Sequence, residues 1–179
     1  MSLADISMFY ILGEDAHHRS FAQAWLVANN VHHRKIVPIP PPAGKGGGWK
    51  FVLLKCKETV EDALNRNRTK ASTRVMIVID ADDLEVEQRF SQVAECIGQI
   101  DNSTESDIIC MLVPKRHIET WVHALVNSDA SVDEVRNYKE KTTAEVKQAA
   151  RSLARLTSAP AQPSSLIRAY SELKRFKST

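Results

Sequence analysis

Apolar positions along the chain fall into two alternating patterns. Short, nearly continuous apolar runs at Ile6–Leu12, His33–Pro40, Arg74–Asp80 and Asp107–Pro114 read as strands. Between them, apolar residues recur at helical spacing. Phe21, Ala24, Trp25 and Ala28 mark a first helix with Asp15 as N-cap and Asn29–Asn30 as its stop. Val52, Leu53, Cys56, Val60 and Leu64 mark a second over Lys50–Arg66, Val86, Phe90, Val93 and Ile97 a third, and Ile118, Trp121, Val122 and Leu125 a fourth. Strands apolar on both faces and separated by helices predict a mainly parallel four-stranded sheet covered on both sides, an α/β fold with βαβαβαβα order over residues 5–127. The prolines of the second run place it early-ending or at an edge. Beyond it, Val132–Tyr138, Thr143–Leu156 and Ser164–Phe176 read as further helices around a Pro/Ser-rich joint. Leu166, Ile167, Tyr170, Leu173 and Phe176 share one face of the last, which predicts docking on the core or on a partner. The division expected is therefore an α/β domain over 1–127 and a basic helical extension over 128–179.

Composition changes this picture little. With 43% hydrophobic and 26% charged residues the chain reads as one soluble globular unit, and no apolar run approaches the roughly 18 residues of a membrane span. The start, MSLADISMFYILGED, lacks a basic leader and reads as a first strand, so no membrane and a cytoplasmic setting are expected. Cys56, Cys96 and Cys110 lack CxxC spacing and read as reduced packing residues. Charge is informative. Residues 136–179 carry ten Lys/Arg against three Asp/Glu, or +7, and residues 1–135 carry 14 against 19, or −5. An acidic body with a basic tail suits a polyanion-binding protein with a cation site, and equally an ordinary solvated helix face.

Acids cluster where strands end. Glu14 follows the first strand, and Asp80 and Asp82 follow the third in VIDADD. In extended chain, residues two apart point the same way, so Asp80 and Asp82 can face one cation while Asp83 points elsewhere or caps the next helix. Carboxylates held close repel strongly, and a divalent metal relieves them; Mg²⁺ suits, since it uses a few carboxylates, keeps waters and takes substrate phosphate as its remaining ligand. Each acid also has a plainer reading, with Asp82 and Glu85 as a capping box and Glu14 and Asp15 favoured by a helix dipole. Capping, however, requires neither Asp80 nor Gly13–Glu14.

YILGED followed by VIDADD resembles the Toprim domain of topoisomerases, DnaG-type primases, OLD-family nucleases and the RecR recombination mediator. That domain carries a glutamate after its first strand and DxD after its third. PKRHIETWVHAL and the loop GKGGGWK are similar to small stand-alone bacterial Toprim-like proteins and OLD-type nucleases. The resemblance implies a Rossmann-like Toprim core, Glu14 as general acid/base or metal ligand, and Asp80 and Asp82 holding Mg²⁺ or Mn²⁺ for phosphoryl transfer. A nuclease acting on DNA or RNA, in phage defence, is the activity implied. The alternative is a non-catalytic nucleic-acid-binding module or the partner of a separate ATPase, with a homodimer as a further association. Glu119 is either an extra metal ligand or the partner of Arg116 at i,i+3.

AGKGGGWK lacks the GK[ST] of a Walker loop. Lys45, Gly46, Gly47 and Lys50, with Arg116, are candidates for phosphate or nucleic-acid contact, against a plain turn for the glycines. The histidines, partly in adjacent pairs, read as exposed, because neighbours on a helix point about 100° apart and do not share a metal readily. HExxH and GxSxG are absent. A dehalogenase-type phosphatase needs DxD on its first strand, and a receiver domain needs an acid pair there and a lone acid after the third, which Glu14–Asp15 only imitate.

Overall fold

A computed structural model of the chain describes residues 2–43, 47–69, 71–98, 107–127 and 131–178. Four strands, β1 (Met8–Gly13), β2 (Ile36–Ile39), β3 (Thr73–Val78) and β4 (Ile109–Leu112), pair in the order β2-β1-β3-β4. All three pairings are parallel, with Phe9 opposite Ile36, Met8 opposite Thr73, and Val75 opposite Ile109. Among the described residues six α-helices alternate with and follow the strands: α1 (Ala16–Ala28), α2 (Trp49–Arg68), α3 (Val86–Ile97), α4 (Ile118–Asn127), α5 (Thr143–Arg155) and α6 (Ser164–Ser178). The fold is thus the α/β architecture expected, Rossmann-like, with the sheet parallel throughout.

Strand alternation explains why these runs are apolar at every position. Phe9, Ile11, Met76, Val78, Cys110 and Leu112 face one core, while Tyr10, Leu12, Val75 and Ile77 face the other. The chain leaves β1 toward β2 on one side and later leaves β3 toward β4 on the other. Right-handed crossovers then place α1 on one face and α2 and α3 on the opposite face, and the two cores are divided in that way.

The C-terminal helices complete the α1 face. Val146, Ala149, Ala150 and Leu153 of α5 and Leu166, Leu173 and Phe176 of α6 share a core with Phe9, Phe21, Trp25 and Trp121. Phe176 meets Phe9 edge-on at 6.2 Å, and the Trp121 indole donates to Ser165 Oγ at 2.8 Å. Arg74, a buried cation on β3, donates to the Phe176 carbonyl and lies 5.2 Å from its ring, satisfying an acceptor that the last helical turn leaves open. The last helix therefore docks on its own core.

Several local expectations are corrected. Residues 132–138 form turns, because the Asp133 carboxylate accepts from Val135 N and competes with helical hydrogen bonding. A 3₁₀ turn at His33–Lys35 delays β2, which lies at a sheet edge as Pro38 leads one to expect. Neither Asp82 nor Asp83 caps α3; Glu85 does so, in a capping box with Gln88. Asp15 caps α1, accepting from His18 N at 2.9 Å, and all three cysteines are free thiols. No helix among the described residues is long and apolar enough to cross a membrane.

A candidate metal centre at the sheet's switch point

Between β1 and β3 the chain connections diverge, which opens a crevice at the carboxyl ends of these strands, the usual ligand position in such sheets. Glu14 and Asp80 lie there. Glu14 Oε1 accepts from Asp80 N at 2.7 Å, which ties the two strand ends together. Two glycines make the approach possible. A Cβ on Gly13 would lie 2.9 Å from His18 Cβ, and one on Gly47 would lie 2.1 Å from the Glu14 carbonyl oxygen, to which Gly48 N donates at 3.1 Å. The described end of the glycine loop thus packs on the Glu14 backbone. Lys45 and Gly46 lie outside the described residues.

Asp82 reaches the site by a route other than strand alternation. Its φ of 53° is left-handed, a conformation aspartate tolerates better than most side chains, and it turns the chain back over the strand end. The turn is held from below by Arg89 of α3, only 3% exposed. Arg89 Nε donates to Asp80 O at 2.9 Å, Nη2 donates to Ala81 O at 3.3 Å, and Nη2 lies 3.6 Å from Asp82 Oδ2.

Asp80, Asp82 and His117 each offer one ligand atom, all within 4.8 Å of one another, so this group can hold a metal ion. His117 stands between β4 and α4, with Nδ1 3.9 Å from Asp80 Oδ2 and Nε2 3.3 Å from Asn137 Oδ1. Glu14 stands beside the group through its bond to the Asp80 amide. Glu119 pairs with His17, Oε1 to Nδ1 at 3.1 Å, and Arg116 turns to Asn137 Oδ1 at 3.2 Å and Asp83 Oδ1 at 3.8 Å.

Charge binds the centre together. His18 is buried, with Nε2 3.0 Å from Asp80 Oδ1 and Nδ1 3.3 Å from Asp15 Oδ1, the latter a close charge contact without hydrogen-bond alignment. Burial alone would lower its pKa, but Asp80, then Asp15 and Glu14, outweigh it and push it up to about 9. Burial would raise Asp80, yet His18 and His117 hold it below the usual carboxylate range. Burial and the Asp80 charge push Glu14 up to about 7, and the same two causes raise Asp82 against the pull of Arg89. The Asp80 carboxylate, 3.9 Å away, raises His117. Protonated His18 therefore neutralises one carboxylate, while Glu14 and Asp82 retain a repulsion that a cation would relieve.

An open cleft of about 420 Å³ leads away from this group, walled by Trp49, Asp82, Arg89, Arg116 and His117. Lys50 is exposed at the start of α2, its ammonium 5.5 Å from the Trp49 ring. A second cavity of about 450 Å³, between α1, α5 and α6, is lined by Trp25, Leu153, Tyr170 and Lys174 and lacks the carboxylates of the centre.

Three members of the site escaped sequence reasoning. His18 and Arg89 carry no motif, His117 lies in PKRHIETWVHAL without having been assigned a role, and the histidines, read as exposed, are buried and half-buried at the site. The available signal was position, since His117 follows the strand next to β3 and therefore opens on the same sheet edge. Comparison with protein-family models, curated proteins and solved structures yields no match for this chain.

Proposed function

We propose that the chain is a Toprim-like, divalent-metal-dependent phosphoryl-transfer protein, a nuclease acting on phosphodiesters. The supporting observation is the group Asp80, Asp82 and His117 at the switch point, with Glu14 bonded to the Asp80 amide. The donor set fits the metal: two carboxylates suit Mg²⁺ or Mn²⁺, and the imidazole adds preference for Mn²⁺. Bound there, such an ion would polarise a phosphate oxygen and lower the pKa of a water.

The chain's own groups divide the remaining work. His18 keeps Asp80 charged, and Arg89 fixes the turn that presents Asp82. Glu14, with a pKa near 7, can hold or release a proton at neutral pH, the property a general acid/base requires. Arg116 and Lys50 supply positive charge at the cleft for a phosphate.

The test is cleavage of plasmid and labelled oligonucleotides across a Mg²⁺ or Mn²⁺ titration on the order of micromolar to millimolar, as oxygen-ligand sites span. Wild type should cut, and Glu14→Gln and Asp80→Asn should each lose roughly 100-fold or more, as expected when an acid/base or charge-stabilising group is removed. Intact substrates under all conditions, or undiminished cutting by both variants, would refute the proposal.

A further inference from the structure

The outer face of α5 carries Lys147, Arg151 and Arg155, all exposed, at i, i+4 and i+8. They form one row that rises about 12 Å at 1.5 Å per residue and drifts about 40° round the helix at each step. Like charges at this spacing oppose helix formation, and helices normally offset them with acids three or four positions away. Here those positions hold Thr143, Ala144, Gln148, Ala150, Ser152 and Ala154. Among the described residues none of the three cations makes an ion pair or hydrogen bond. Helix α2 shows the contrast: Lys55, Lys57 and Arg66 pair with Glu58, Glu61 and Asp62. Other exposed cations such as Arg34 and Lys177 also lack an ion pair, but Lys147, Arg151 and Arg155 stand together on one helix face.

Its position links it to the candidate centre. Asn137, six residues before α5, contacts both Arg116 and His117 at the cleft. The other end of α5 lies at the far end of α1, where Leu153 and Leu156 surround a cavity with Trp25 and Asn29. Helix α5 packs along α1 with its C-terminal end at the far end of α1, so its first turn lies toward the side where α1 begins after Glu14. A lipid surface fits poorly, since the apolar face of α5 is already buried in the core and an interfacial helix needs that face for the membrane.

We infer that Lys147, Arg151 and Arg155 form a backbone-binding track that holds a nucleic-acid strand leading into the metal cleft. This rests on the phosphodiester reading above and names a contact surface for its substrate. The track reads phosphate charge and no sequence, so binding through it is salt-dependent and sequence-tolerant.

The test is fluorescence anisotropy of a labelled single-stranded oligonucleotide in EDTA, titrated with wild type and with Lys147→Gln/Arg151→Gln/Arg155→Gln across a salt series. At about 0.7 counterions per single-strand phosphate, losing three contacts should flatten the slope of log K against log salt by roughly 2, with at least about a tenfold affinity loss near 0.1 M salt. Lys147→Arg/Arg151→Lys/Arg155→Lys should restore binding, which a folding defect would not allow. Equal slope and affinity in wild type and the Gln variant would overturn the inference, as would wild type that binds anionic vesicles but no oligonucleotide. Because EDTA removes metal, wild type that binds through the track yet never cuts with Mn²⁺ sinks the nuclease reading and leaves the track standing.

Discussion

Raising the pH should destabilise this protein, and His18 supplies most of the magnitude. Its pKa is about 9 in the folded chain against 6.5 for an ordinary histidine. A raised folded pKa means that the native state holds the proton more tightly. The contribution is complete below pH 6.5, where both states are protonated, and is lost as pH rises through 9. A shift of about 2.5 units at 1.36 kcal/mol each corresponds to roughly 3 kcal/mol. For a chain of this size, at about 2–4 °C per kcal/mol, the melting temperature in EDTA should fall by roughly 6–12 °C between pH 6.5 and 9. Glu14, raised to about 7, acts with the same sign over pH 4.5 to 7, and it shares its charges with His18 so that the two effects do not simply add. The assay is urea unfolding at several pH values in EDTA, for wild type and His18→Gln. A glutamine can still donate to Asp80 but does not titrate, so its slope over this window should shrink to what Glu14 and His117, both also raised, contribute. A wild-type stability that is flat or rises from pH 6.5 to 9, or a His18→Gln slope equal to wild type, would refute the buried His18–Asp80 ion pair.

Mn²⁺ at about 100 times its Kd should stabilise the wild type by roughly 2.7 kcal/mol, read as a melting-temperature gain, and Asp82→Asn or His117→Gln should abolish most of it. Because protons compete for the raised Glu14 and Asp82, that gain should be smaller at pH 5.5 than at pH 8, as a thermal-shift titration will show. Gly47→Ala would bring a Cβ to 2.1 Å from the Glu14 carbonyl, so the loop must withdraw by at least about 1.3 Å to regain ordinary contact at 3.4 Å; weaker Mn²⁺ binding in calorimetry is expected with only modest loss of stability. Phe176→Ala should cost about 3–5 kcal/mol in urea unfolding, the price of a fully buried aromatic in the core shared by α6 and the sheet. A loss below about 1 kcal/mol would show that α6 is an appendage.

Much of this molecule is local in origin and legible in order along the chain. Runs such as Val75–Ile79 are apolar at every position because β3 is covered on both faces, and residues of one strand feel both cores at once. The Asp15 cap, the helical stripes and the acids at strand ends depend on neighbours within a turn or a strand, so periodicity and spacing determine them. The wrong expectations fail where a side chain answers to something distant or to a local competitor. Asp82 enters the centre through a left-handed turn held by Arg89, seven residues on, whereas extended spacing had suggested a simple alternation.

The partners across space were decided only by the tertiary structure. His18 meets Asp80 across 62 positions, and His17 meets Glu119 across 102. His117 joins the metal group because β4 pairs beside β3 and releases the chain at the same sheet edge. Amphipathic spacing showed that α5 and α6 each bury a face, but not that both close the α1 side of the sheet. By itself the sequence determined which elements form and which residues must leave water, since those follow from backbone geometry and hydrophobicity over a few residues. Strand order and crossover hand decided which polar groups share the crevice, because they alone bring the ends of β1, β3 and β4 together.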